Sequence, residues 1–191
     1  QNIINYAAGK GAVLLASAGN GGNEVIRYPC AYNNVMCVAN TNSTDKKDTT
    51  SQYGTWVDLS APGKSLYSTS PMTSYATYTG TSFSTPLVSG LAGLMLSLNP
   101  ALTPAAVENC LKSTADNINA QNSAYIGKLG AGRINAGNAM QCVSLLTGVA
   151  DNISGNNGVY VFPNPFNSSA EFFVPEEIRN KTVTFMIYDV L

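Results

Sequence analysis

Histidine is absent from this sequence. No imidazole can therefore act as a general base within the chain, and no His-containing metal site can form. Charge is also scarce. Asp, Glu, Lys and Arg together make up 11% of the 191 residues, against about 25% in an average soluble domain. The formal net charge of −1 leaves no basic field for nucleic acid and no polybasic patch for a membrane surface. No apolar run approaches the roughly 20 residues of a bilayer-crossing helix. The longest, Leu87 to Leu98, is interrupted by Ser and Gly, so no membrane span is expected. The chain starts at Gln1 and stops at Leu191 inside an apolar run, which reads as a piece of a longer or processed product.

Hydrophobic residues make up 45% of the chain, the mark of a globular rather than a disordered sequence. The length suits one compact core with a small extra module. Four cysteines fall into an early pair, Cys30 and Cys37, and a late pair, Cys110 and Cys142. An even count in a weakly charged, Asn-rich chain points to disulfides and an oxidising compartment. Four buried free thiols are the alternative. The early pair would staple a loop to the next strand, and the late pair would tie two helices together. No Cys-x-x-Cys spacing is present, and no metal site is expected.

Short apolar runs bounded by glycine read as strands buried on both faces of a parallel sheet. They are Ala12 to Ala16, Val35 to Ala39 and Trp56 to Ser60, the last stopped by Ala61-Pro62-Gly63. Asn2 to Ala8 reads as the end of a helix broken by Gly9 to Gly11. Thr73 to Thr81 reads as extended or as a hairpin. From Ser82 the spacing of Val88, Leu91, Ala92, Met95 and Leu96 predicts a helix ended by Asn99-Pro100. Thr103-Pro104 predicts a second helix, with Thr103 as N-cap and Val107, Cys110 and Leu111 inward. Ala136 to Leu146 predicts a last one. Residues 148–158 read as a polar linker. Beyond them the pattern alternates, in Val159 to Val161, Phe172 to Val174 and Val183 to Tyr188, as short strands do.

The strongest chemical signal is Gly80-Thr81-Ser82-Phe83-Ser84-Thr85-Pro86. A serine at the start of an apolar helix sits where unpaired amides and the helix dipole favour developing negative charge. That suits a nucleophile whose intermediate is anionic. The plain alternative is that Ser82 only caps the helix. A second signal is Ser17-Ala18-Gly19-Asn20, at the carboxyl end of the first strand, where open α/β sheets place ligands. Here the alternative is that Asn20 is a left-handed turn residue before Gly21-Gly22.

Taken together these segments resemble the subtilisin-like serine proteases. Gly80 to Gly90 resembles the family's Gly-Thr-Ser-Met-Ala-Thr/Ser-Pro-His-Val-Ala-Gly, with Phe83 in place of Met and Leu87 in place of His. Ala16 to Gly21 resembles the Ala-Ala-Gly-Asn loop. Tyr28-Pro29, Ala61-Pro62-Gly63 and Gly130-Ala131-Gly132-Arg133-Ile134-Asn135 match further motifs in the family's order. The resemblance covers about residues 1–147 and implies an α/β fold, the C-terminal part of a three-layer subtilisin-like architecture with a parallel sheet.

It also implies acyl transfer, with Ser82 as nucleophile and Asn20 as oxyanion-hole donor. Ser17, Ala18, Gly19 and Thr81 are implied to contact the peptide or protein substrate. Arg27 falls at the base of the primary specificity pocket and would favour an acidic or polar side chain there; a surface arginine pointing to water is the alternative. The family's catalytic Asp and His precede the Asn loop, so they would lie before Gln1, and this piece is expected to be inactive alone. Asp45, Asp48 and Asp58 are not read as substitutes. Asp58 is read as structural, or at most a weak cation ligand. No cofactor is implied beyond structural calcium in the full-length enzyme. Tyr28-Pro29 is implied to be a cis peptide.

Val161-Phe162-Pro163-Asn164-Pro165-Phe166-Asn167 and Ile187-Tyr188-Asp189 resemble the start of a C-terminal sorting domain read by type IX secretion machinery. Residues 159–191 are therefore expected to form a truncated β-sandwich-like module, and the protein to be secreted or displayed at the cell surface. A non-catalytic subtilase-like protein used for binding or display is the competing reading.

Overall fold

The computed structural model describes residues 1–71, 74–146, 160–162 and 171–173. The chain divides into two compact units, Gln1–Thr147 and Gly148–Leu191. The expected linker at 148–158 and the expected strand from Val183 to Tyr188 lie outside the described residues. In the second unit, β-strands Tyr160–Phe162 and Glu171–Phe173 pair antiparallel.

The first unit is built on a three-stranded parallel sheet of β1 (Leu15–Ser17), β2 (Met36–Thr41) and β3 (Leu59–Pro62), in that order. All six residues of the central strand β2 are buried. Because side chains alternate across a sheet, β2 feeds two cores. Met36 and Val38 join Leu59 and Ala61 of β3 on one face, and Cys37 and Ala39 join Ala18, Cys30, Val57, Ile118 and Leu129 on the other.

The first core is closed by three helices. They are α2 (Thr81–Leu98), α3 (Pro104–Ser113) and α4 (Ala136–Leu146). Val88, Leu91, Ala92 and Met95 project from α2 at helical spacing and meet Val107 and Leu111 of α3 and Ala139 and Val143 of α4. Each such fully buried aliphatic side chain contributes about 1.5–3 kcal/mol relative to exposure. By length and composition α2 is also long and apolar enough to cross a membrane, but here its inner face belongs to the core. At the start of α3, Thr103 Oγ1 accepts a hydrogen bond from Ala106 N–H at 3.2 Å, with Pro104 in the first turn. An N-terminal helix α1 (Asn2–Gly9) precedes the sheet.

Two strands differ from the sequence reading. The first begins at Leu15 rather than Ala12. The third is displaced: Trp56 and Val57 lie in a turn, and Ala61 and Pro62 belong to β3 instead of ending it. Proline is tolerated because β3 is an edge strand, where a missing N–H breaks no ladder bond. Of the stretch read as extended or a hairpin, Ser74–Tyr78 forms β5, Thr81 already belongs to α2 and Thr73 lies outside the described residues. β5 pairs antiparallel with a strand the pattern did not announce, β4 (Leu66–Ser70). Both expected disulfides are present, Cys30–Cys37 and Cys110–Cys142, the second joining α3 to α4. Tyr28–Pro29 is cis.

Candidate active site

Helix α2 starts where Gly80 can. Gly80 has φ +157 and acts as N-cap without a capping side chain. A Cβ there would stand 3.2 Å from Asn20 Nδ2, so the missing side chain leaves room for Asn20 to approach. Ser82 follows as the second helical residue and is exposed. It is therefore not the cap. Its N–H belongs to the first turn, where an α-helix offers no acceptor. Pro86 lies inside α2 and cannot donate to the carbonyl four residues back, which is that of Ser82.

Asn20 reaches this helix start from the end of β1. Its Oδ1 accepts hydrogen bonds from Thr81 N–H at 2.9 Å and from Thr81 Oγ1 at 3.0 Å. Gly19 N–H donates back to Thr81 Oγ1 at 3.2 Å. With the carboxamide oxygen so engaged, the Asn20 Nδ2 donor is left on an exposed residue beside the nucleophile turn. Asn20 does not have the positive φ of a left-handed turn residue. Two segments that are 61 residues apart in sequence thus close on one small patch.

Thr81 itself is fully buried, and both its N–H and its hydroxyl are committed to the 19–20 loop. Ala18 is fully buried and donates its N–H to Val38 O at 2.9 Å. Ser17 is half-buried at the end of β1. Gly19 adopts φ +106, and a Cβ there would lie 1.8 Å from Gln52 Oε1 and 3.3 Å from Arg27 Cγ. The stem of Arg27 therefore packs beside the loop that carries Asn20. Arg27 is exposed; its carbonyl accepts from Ala31 N–H at 3.0 Å, and among the described residues its guanidinium makes no ion pair or hydrogen bond.

The profile of the subtilase family matches residues 1–156. The chain belongs to the subtilase family. Over 143 residues it is 44% identical to thermitase of Thermoactinomyces vulgaris, covering 74% of this chain and 48% of that protein. Subtilisin BL of Lederbergia lenta is 36% identical over 136 residues, covering 71% and 49%. Among solved structures, the prenylagaramide maturation protease PagA superposes with a TM-score of 0.70 at 28% identity, covering 74% of this chain and 54% of the other. This subtilase chain spans about half the length of the relatives it matches.

The remaining carboxylates near the sheet hold structure. Asp58 Oδ2 accepts from Cys37 N–H at 2.8 Å and its Oδ1 pairs with Lys112 at 2.6 Å, while Lys112 also pairs with Glu108 at 2.6 Å. Burial alone would lower the Lys112 pKa, but these two carboxylates outweigh it and raise it. Asp45 and Asp116 pair with Arg133 at 2.6 and 2.7 Å. Among the described residues no cluster of His, Cys, Asp and Glu is arranged to hold a metal.

One residue packed behind the site went unnoticed in the sequence. Gln52 sits in a polar loop with no periodicity to mark it, yet it is 1% exposed and lies directly beneath Gly19.

Proposed function

We propose that the whole protein of which this chain is a part is a secreted serine endopeptidase. Ser82 Oγ would attack the peptide carbonyl. The Ser82 N–H and Asn20 Nδ2 would stabilise the tetrahedral oxyanion, and an acyl-enzyme would form on Ser82. The observation that carries this reading is the Asn20–Thr81 pair of hydrogen bonds, which supports an aimed carboxamide donor next to an exposed serine in the first turn of α2. A serine hydroxyl is a weak nucleophile without a base, and this chain holds no histidine. The Asp and His of the triad would come from sequence preceding Gln1, and the chain alone would be inactive.

Ser17 and Gly19 would form one wall of the pocket for the residue preceding the scissile bond, while Ala18 between them points into the core and Thr81 is buried, so neither of those two would touch substrate. Arg27, without a carboxylate partner among the described residues, would favour an acidic or polar side chain there. Residues 1–147 would be the C-terminal part of the catalytic domain and 148–158 a linker. Residues 159–191 would begin a sorting domain for type IX secretion. The two disulfides fit an oxidising destination.

Fluorophosphonate labelling of the full-length protein tests the mechanism. The adduct is expected on Ser82. No labelling, or an adduct elsewhere, would overturn the reading in favour of a non-catalytic scaffold. Deleting residues 159–191 and assaying the medium tests the tail, with intracellular retention expected.

A further inference from the structure

Gln52 ties its own loop to two points of a stretch far earlier in the sequence, the Gly19 turn and the Asn23–Val25 segment. Its backbone N–H donates to Gly19 O at 2.9 Å. Its side-chain Nε2 donates to Asn23 Oδ1 at 3.2 Å and to the Val25 carbonyl. Its Oε1 lies against the bare Cα of Gly19, with Arg27 Cγ close to the same point. Both hydrogens of the amide are thus used on the segment that leads to Arg27, and the carboxamide oxygen faces the segment that leads to Asn20.

The segment is also tied by Tyr53 N–H to Asn23 O at 3.3 Å, Val25 N–H to Asn23 Oδ1 at 3.2 Å and Ala31 N–H to Arg27 O at 3.0 Å, but Gln52 supplies the side-chain link between it and the Gly19 loop. Val25 and Ile26 are 54% and 51% exposed, so the stretch has no apolar anchor of its own. Lys128 pairs with Glu24 at 2.7 Å, but both side chains are more than a third exposed, and such pairs constrain weakly. The part-buried hydrogen bonds from the Gln52 carboxamide, itself buried, are the stronger restraint. Gly19 matters equally. A side chain there would displace Gln52 Oε1, and φ +106 is a conformation that glycine alone adopts freely.

Resting on the protease reading above, we propose that Gln52 is a positioning residue for substrate selection. It sets the Val25–Arg27 segment against the Gly19–Asn20 loop, and so sets where the Arg27 guanidinium stands relative to Ser82. The substrate class it selects is peptides with a carboxylate side chain immediately before the scissile bond. Gln52 touches no substrate. It acts through the distance between the two walls.

The test uses full-length enzyme, with Gln52→Ala and Gln52→Met compared against the wild type. The peptides differ only in the residue before the scissile bond, which is Glu, Gln or Leu. The wild type is expected to prefer Glu. Methionine fills the space without donating hydrogen bonds, so both variants should lose that preference by about 10-fold or more, the range over which one pocket contact changes discrimination. Their kcat/KM on the Leu peptide should stay near wild type. Amide exchange at Val25 to Arg27 should quicken in both variants while Leu15 to Ser17 stays protected. Preference retained in Gln52→Met would make Gln52 a space-filler and overturn the proposal. So would a common fall on all peptides, or a wild type without preference. A wild type that cleaves nothing overturns the protease reading itself, which separates the two failures.

Discussion

Gly63 and Ser84 meet with no space between them: a Cβ on Gly63 would fall 2.1 Å from Ser84 Oγ, 2.6 Å from Asn40 Oδ1 and 2.8 Å from the Gly80 carbonyl. Gly80 N–H donates to Gly63 O at 2.9 Å, and Ser84 Oγ donates to Ala61 O at 3.0 Å. The turn after β3 is therefore seated under the first turn of α2, the turn that carries Ser82. Gly63→Ala should cost about 1–3 kcal/mol, because one of the three obstacles is backbone and cannot rotate away. Ser84→Ala removes the nearest obstacle, so the double variant should lose less stability than the two single losses added together. Urea denaturation of the four full-length proteins measures this, and strict additivity would deny the contact.

Asn20 makes a second prediction, which separates its two atoms. Oδ1 holds Thr81, while Nδ2 is the free donor. Asn20→Ala removes both, and Asn20→Asp keeps the acceptor but loses the donor. If the donor serves the oxyanion, both substitutions lower turnover in the full-length enzyme by about 10²–10³ with little change in KM. That magnitude is the one known for a single oxyanion-hole donor in subtilisin, a member of this family, and is carried over from it. Asp would also place a negative charge where one develops. Full activity in Asn20→Asp would remove Asn20 from the mechanism.

The sequence announced the parts of this fold that rest on local chemistry. Thr103 and Pro104 define the start of α3 through one hydroxyl and one fixed φ, and both act as read. The buried run at Val35 to Ala39 and the helical spacing from Val88 to Met95 needed only hydrophobic periodicity. Trp56 misled because its apolar ring resembles a strand residue, whereas it packs on Gly54, whose Cβ would fall 1.9 Å from the indole. That contact belongs to a turn. β4 was missed because Leu66 to Ser70 is half-buried on one face only and carries just one aliphatic residue, Leu66. Gln52 was missed for a deeper reason. Its role depends on Gly19, Asn23 and Val25, which lie 27 to 33 residues earlier, and no local pattern encodes that meeting.

The disulfides differ in what their removal should cost. Cys30–Cys37 closes a separation of 7 residues and Cys110–Cys142 one of 32. Chain-entropy reasoning gives about 2.4 kcal/mol for the short loop and about 3.7 kcal/mol for the long one. Replacing Cys110 and Cys142 with Ala should therefore lower the melting temperature more than replacing Cys30 and Cys37. The long bridge also joins two core helices, so its loss should loosen α4 first. Thermal melts of the two double variants decide the ranking, and an equal or reversed order would mean that packing, not chain entropy, dominates.

Acid stability should depend on Asp48. The residue is 2% exposed, and burial alone would raise its carboxyl pKa. Thr50 outweighs that, with its hydroxyl donating at 2.6 Å and its N–H at 3.0 Å, and Lys64 adds an ion pair at 3.1 Å. The folded pKa is lowered below the ordinary value. The sign follows from that direction. A carboxyl easier to ionise in the folded state contributes stability above its unfolded pKa of about 4, and loses it as pH falls through the folded value. Asp48→Asn should therefore destabilise the protein at pH 7 by about 1.5–3 kcal/mol, the range for hydrogen bonds to a charged group. The gap between variant and wild type should shrink as pH falls below about 4, because the wild-type carboxyl is then being protonated as well. Lys64→Ala should cost less, about 0–1 kcal/mol, since Lys64 is 43% exposed and water screens its share. Urea midpoints of the three proteins between pH 7 and pH 3 measure both gaps. A gap for Asp48→Asn that stays constant across that range would show that the Asp48 charge contributes nothing to holding this loop.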